Sequence, residues 1–138
     1  MSKKTLIIAI CLILLVAGIS VFLILRSGNG SPQTDQKTIN DSIRKSEMGL
    51  IAAIQGQYFA AQHKYYQSVS YPSSIPNSGP LPGDPSPMGT YFWIDNTGDL
   101  MKFCVYAHLE NGGFYLASHK GVGMVQERPL TLSDCEKI

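Results

Sequence analysis

Three histidines, a scatter of aspartates and three cysteines are the residues of this chain whose types could do chemistry. A hydrolytic triad needs a nucleophile, a general base and a third group that orients the base. Ser118, His108 and Asp99 come nearest to such a set, and no motif surrounds any of them. His63, on a helix, and His119, near a strand end, are equally isolated, so no catalytic residue is assigned. A hard cation needs several oxygens, which Asp-rich loops supply. Asp84, Asp95 and Asp99 are the candidates, but Asp95-x-x-x-Asp99 lacks the spacing and the closing glutamate of an EF-hand. Such residues are common in plain turns. Neither a metal nor a cofactor is expected.

The cysteines divide by position. Cys11 lies inside an apolar run and reads as a small apolar filler. Cys104 and Cys135 fall in the remainder of the chain, where an oxidising exterior would join them in one disulfide. Two free thiols are the first alternative. A metal pair is the second, without any Cys-x-x-Cys or close Cys/His spacing to favour it. A bridge between them would tie a central strand to the tail and contribute roughly 3–4 kcal/mol by the chain-entropy estimate.

That exterior is inferred from the apolar run itself. Thr5 to Leu25 is uninterrupted by charge, with Lys3 and Lys4 before it and Arg26 after it. About twenty residues at 1.5 Å rise each span a hydrocarbon core of about 30 Å. A cleavable secretory signal is the competitor, but its apolar core is shorter, about 7–15 residues, and ends in a small-x-small site. The expectation is a retained single-pass anchor at the cell membrane, in contact with lipid through residues 5–25. The two lysines place a cytoplasmic tail at 1–4 and everything after Arg26 outside.

The chain carries a formal net charge of +1. Three of its 11 Lys/Arg precede Thr34, which leaves eight against ten Asp/Glu outside, a net −2. Nucleic acid is bound by clustered Lys/Arg, and no such patch is visible, so no nucleic-acid partner is expected. About 105 residues remain beyond the run and its linker, enough for one small domain.

Along that domain the elements follow from breakers and periodicity. Ser27-Gly28-Asn29-Gly30-Ser31-Pro32 marks a flexible linker over 26–33. Ile39, Ile43, Leu50, Ile51, Ile54, Tyr58, Ala61 and Tyr65 recur at spacings of three and four, predicting a helix over about 34–66. Its first half, polar with isolated isoleucines, reads as a stalk, and its second half as the part buried in the core. Six prolines between Pro72 and Pro87 predict an ordered loop over 70–89. Strands alternating with turns occupy 90–128. In the best of them Met101, Phe103, Val105, Ala107 and Leu109 share one face, and Cys104 takes the other with Lys102 and Tyr106. Asn111-Gly112-Gly113 is a hairpin turn, and Met124 to Glu127 reads as a final edge strand. The expected fold class is α+β: an N-terminal transmembrane helix, then a long amphipathic helix packed on a small antiparallel β-meander.

The helix end Ala60-Ala61-Gln62-His63-Lys64-Tyr65-Tyr66, then Tyr71-Pro72, the loop Leu81-Pro82-Gly83-Asp84-Pro85 and the strand-turn-strand from Tyr91 to Leu109 resemble type IV pilins and type II secretion pseudopilins. The resemblance covers roughly Ile43 to Leu109 and implies a pilin-like order of elements. Many members of that family also close a C-terminal region with a disulfide, as Cys104 and Cys135 would here. The chain departs from the family at the head of the apolar run. There the family has a glycine followed by Phe-Thr-Leu-x-Glu, where a peptidase cuts and the glutamate aids assembly. This chain has Lys4-Thr5-Leu6-Ile7-Ile8, with no glycine before it and no acidic residue in the run. The family's first helix is also typically continuous, whereas Gly28 to Pro32 should interrupt it here.

The resemblance implies a non-enzymatic, membrane-anchored structural or assembly protein of a pilus or secretion-like system, with like subunits or other pilin-like proteins as partners. Ile39 and Ile43, apolar on an otherwise polar stalk, are the candidate subunit contacts; the alternative is that they merely continue the internal stripe. The missing peptidase signal favours a second reading, an anchored binding module that never polymerises. An anchored enzyme is the third, supported by nothing beyond a cleft-forming loop.

Overall fold

The computed structural model describes residues 32–138. The expected cytoplasmic tail 1–4, the apolar run 5–25 with Cys11 and most of the linker 26–33 lie outside the described residues. Gln36–Ile138 forms one compact unit.

Helix α1 runs from Pro32 to Gln62. Proline opens it at a position where the missing amide has no intrahelical partner to lose, and Asp35 in the first turn complements the helix dipole. The linker therefore ends earlier than its composition suggests. Asn40, Asp41, Arg44, Met48, Ile51, Ile54 and Gln55 are the buried positions of α1. They recur at helical spacing as one stripe that is polar for its first turns and apolar after them. The helix stops at Gln62, short of the expected Tyr66, because His63 takes a left-handed conformation, φ 57°. Beyond it the Tyr65 amide donates to the Leu100 carbonyl and the Tyr66 amide to Gln55 Oε1. Both tyrosine rings turn into the core, Tyr65 against Phe103 and Tyr66 against Trp93.

The proline-rich segment carries a small ladder of its own. Strand β1, Ser74–Ile75, pairs antiparallel with β2, Gly79–Pro80. Positive φ at Asn77 (62°) and Gly79 (107°) allows so tight a reversal. Ile75 and Leu81 are buried by it.

Four further strands form an antiparallel meander in the order β3 (Tyr91–Trp93), β4 (Cys104–His108), β5 (Phe114–Ser118) and β6 (Gly121–Val125). Gly112 and Gly113, with φ 100° and 77°, make the β4–β5 turn. The expected strand over 100–109 is shortened to Cys104–His108, since 100–101 belongs to a turn and Met101 is exposed. Phe103, Val105, Ala107 and Leu109 are all buried, as the alternation predicts. The expected edge strand 124–127 starts instead at Gly121, in register Ser118↔Gly121 across a two-residue turn.

Both faces of the meander are covered. Met48, Ile51 and Ile54 of α1 join Tyr91, Trp93, Phe103, Val105, Ala107 and Ala117 in one apolar cluster. On the other face Cys104, Tyr106 and Leu116 cluster with Cys135, flanked by Leu132. Leu132–Glu136 is a short 3-10 helix, opened by a capping box in which Thr131 and Asp134 exchange hydrogen bonds. A disulfide joins Cys104 to Cys135. Asn96, fully buried, gathers the loops between these layers. It accepts from the Ser68 amide and Trp93 Nε1 and donates to the carbonyls of Tyr66 and Lys102.

The architecture corrects the expected fold class. The described residues contain one α-helix and two antiparallel sheets, where one membrane helix, a second helix and a single meander were expected. Among them no helix is long and apolar enough to cross a membrane. The second sheet lies within the segment 70–89, where six prolines predicted an ordered loop. Pro80 pairs nonetheless, at the end of a two-residue strand where its lost donor is not needed.

Replacing Cys104 and Cys135 by serine should lower stability by roughly 3–4 kcal/mol, given their separation of 31 residues. Urea unfolding followed at Trp93 measures this, and an unchanged midpoint would show that the tail holds without its bridge.

Candidate functional site

Arg44 is the most heavily engaged side chain, and only 2% of it is exposed. Its Nε and Nη2 donate to the two carboxylate oxygens of Asp84 at 2.9 and 2.8 Å, a bidentate fork. Its Nη1 donates to Asp41 Oδ1 and Glu110 Oε1, both at 3.1 Å. Asp41 also accepts from the Glu110 and Asn111 amides and from Asn111 Nδ2. Three separate parts of the chain thus meet at one guanidinium: α1, the proline-rich loop and the β4–β5 turn. Gly89 is part of the fit, because a Cβ there would strike the Asp84 carboxylate. Asp84 raises the Arg44 pKa further above its ordinary value, against the opposing effect of burial. Burial pushes Asp41 up, but the two backbone amides, Arg44 and Asn111 outweigh it and hold the carboxyl below the usual range. Nearby, Tyr91 donates a short hydrogen bond to Glu47. Burial, then that carboxylate, pushes the phenol well above its ordinary value.

The candidate chemical residues are placed apart or already occupied. Ser118 pairs with Cys104 at one end of β4 and His108 pairs with Phe114 at the other, about 13 Å along the strand. Ser118 Oγ donates to the Cys135 carbonyl, and Asp99 Oδ1 accepts from the Met101 amide. His63 is exposed at the helix end, and His119 Nε2 lies 3.4 Å from Glu136. Of the three loop aspartates, Asp84 belongs to Arg44. Asp95 caps its own turn through the Thr97 amide and hydroxyl. Among the described residues no group of three His, Cys, Asp or Glu is placed to hold a metal ion.

What remains is surface, in two parts. The first is the outer side of α1. Ile39, Ile43 and Leu50 are 51%, 38% and 50% exposed. At 100° per residue they lie within about 40° of one another, beside the buried Ile54, which is about 20° from Ile43. They form the exposed flank of the apolar stripe, whose inner part is buried.

The second part is an open cleft of about 680 Å³ between β3 and the tail. Phe92 stacks on Tyr106 across the strands, ring centroids 5.1 Å apart and planes 16° from parallel. Arg128 lies over both rings, 5.4 Å from the Phe92 centroid and 5.9 Å from that of Tyr106. Its Nε donates to the Tyr106 hydroxyl at 2.7 Å. Leu130 and Leu132 extend the apolar wall, and Asp95, Asp99 and Lys102 line the cleft as well. Neither Arg128 nor Arg44 is among the candidates that the sequence offers. The signal for Arg44 was present: it stands in phase with Met48, Ile51 and Gln55. Arg128 had none, since strand pairing and the tail bring it to Phe92.

Comparison with protein-family models, with curated proteins and with solved structures finds no match for this chain.

Arg44→Met should cost about 3–5 kcal/mol, because it strands buried carboxylates without a counter-charge. Urea unfolding checks it, and a loss below 1 kcal/mol would count against the junction. The lowered Asp41 pKa sets the acid response. Its contribution is complete above the unfolded value near 4 and lost as pH falls through the lower folded value. Stability should therefore fall with acid below about pH 4, and Asp41→Asn should flatten that slope in a urea-midpoint series.

Proposed function

We propose that this is a membrane-anchored structural protein of the pilin-like kind, which assembles with like subunits or other pilin-like proteins in a type IV pilus or type II secretion-like system. Residues 5–25 would hold it in the cell membrane, with the C-terminal unit outside. The observation that carries this reading is the exposed flank Ile39, Ile43 and Leu50, beside a helix face that is already packed. A helix whose apolar residues extend beyond its packed face has more apolar surface than its own fold uses. Burying the exposed half of each side chain would contribute roughly 1 kcal/mol apiece. That is enough to align neighbouring chains confined to one membrane and too little to drive association of dilute ones.

The stacked Arg128 favours a second reading, an anchored module that binds a ligand and does not polymerise. The lack of a glycine and a glutamate at the head of the apolar run supports it too. Intact mass of the membrane-extracted protein separates the two. A trimmed, methylated amino terminus supports the assembling protein, and an intact Met1 or Ser2 supports the module.

Ile39→Lys combined with Ile43→Lys should reduce crosslinking between copies in membranes at least tenfold. The urea midpoint should stay within about 0.5 kcal/mol of the parent, as for other exposed positions. Undiminished crosslinking would count against assembly through this helix.

A further inference from the structure

We infer that the cleft between β3 and the tail is a binding site for an apolar ligand that ends in a carboxylate, with Arg128 as the residue that receives the anion. This deepens the second reading above and does not depend on the first.

The inference starts from the state of the guanidinium. Arg128 has no carboxylate partner among the described residues, although Asp95 and Asp99 share its cleft. Lys102, the other cation there, is already spent on Glu136 at 2.9 Å and Asp99 at 3.8 Å. Arg128 is not simply dangling in solvent either. One hydrogen bond from Nε to the Tyr106 hydroxyl and two ring faces restrain its plane. Tyr106 is itself buried and cross-braced by Phe114. The two terminal nitrogens donate to nothing among the described residues, so the paired N–H edge that matches a carboxylate is free. Much of the ordering that usually opposes a bidentate contact is thus in place before a ligand arrives.

Charge and shape then narrow the ligand. A cation is repelled by Arg128. A phosphate monoester brings a charge of nearly −2, which one guanidinium cannot offset with Asp95 and Asp99 close by. A single carboxylate matches a single free cation. Leu130, Leu132 and Phe92 line the cleft with Arg128 and offer apolar contact to the body of such an acid. The volume suits a ligand of small-molecule size or the last few residues of a peptide. Both sources offer the same chemistry.

Calorimetry measures binding here, because Trp93, the single tryptophan of the chain, turns its ring to the opposite face of the sheet, against Tyr66. The full chain in detergent would be titrated with an N-acetylated apolar pentapeptide bearing a free carboxylate, with the same peptide amidated, with its phosphorylated counterpart and with phenylbutyrate. The free acid should bind at least tenfold more tightly than the amide, the usual effect of a charged bidentate contact. Arg128→Gln should erase that preference, and Arg128→Lys should keep only part of it. The comparison of acid with amide uses the unaltered protein, so it does not depend on how a variant folds. Response to peptide acid alone identifies a chain end as the ligand, and response to phenylbutyrate alone identifies a small acid. Equal binding of acid and amide, or preference for the phosphorylated peptide, overturns the carboxylate assignment and leaves an anchored binding module standing. No heat of binding with any probe at millimolar concentration overturns both.

Discussion

One buried guanidinium holds this protein together. Arg44 is removed from water, and a charge removed from water is tolerated only when its partners are close and its donors filled. Asp84 supplies a two-point contact, Asp41 and Glu110 fill the remaining edge, and backbone amides in turn satisfy Asp41. The junction stabilises less through its Coulomb energy than through what it forbids. Any packing that separated α1, the proline-rich loop and the β4–β5 turn would leave a bare charge inside the protein. A greasy contact would permit sliding by a helical turn, whereas this network permits one register.

The arrangement has a consequence for the surface. Because the polar part of the inner stripe is consumed by Arg44 and Asp41, the apolar Ile39 and Ile43 of the same helical turns are left facing outward. The tail acts similarly on the far face of the meander. It covers Cys104 and Leu116 but stops short of Phe92, and Arg128 is brought over the ring that remains. The two surfaces proposed to act are thus the parts that neither the ion network nor the disulfide-tied tail covers.

Some of this was legible from residue order. The alternation of Phe103, Val105, Ala107 and Leu109 predicts one buried face, since a strand repeats every two residues whatever its neighbours are. The glycines after Asn111 mark a reversal for a similarly local reason. The helix was read less well. Ile39, Ile43, Leu50, Ile51 and Ile54 were taken as one stripe, although Leu50 and Ile51 are 100° apart. Tyr65 and Tyr66 were read as helical, yet the chain leaves the helix at His63 and their rings pack on Phe103 and Trp93.

By itself the sequence determined what depends on near neighbours: where strands alternate, where the chain must turn, and that residues 5–25 form a run without charge. Only the tertiary structure decided which side of α1 faces inward and what Arg44 holds. Its partners Asp84 and Glu110 lie 40 and 66 residues further along the chain. Periodicity marks a helix face as polar or apolar, but it carries no record of which distant carboxylate will meet a charge. That choice is made by desolvation, when the folded chain leaves Arg44 no water and only these partners in reach.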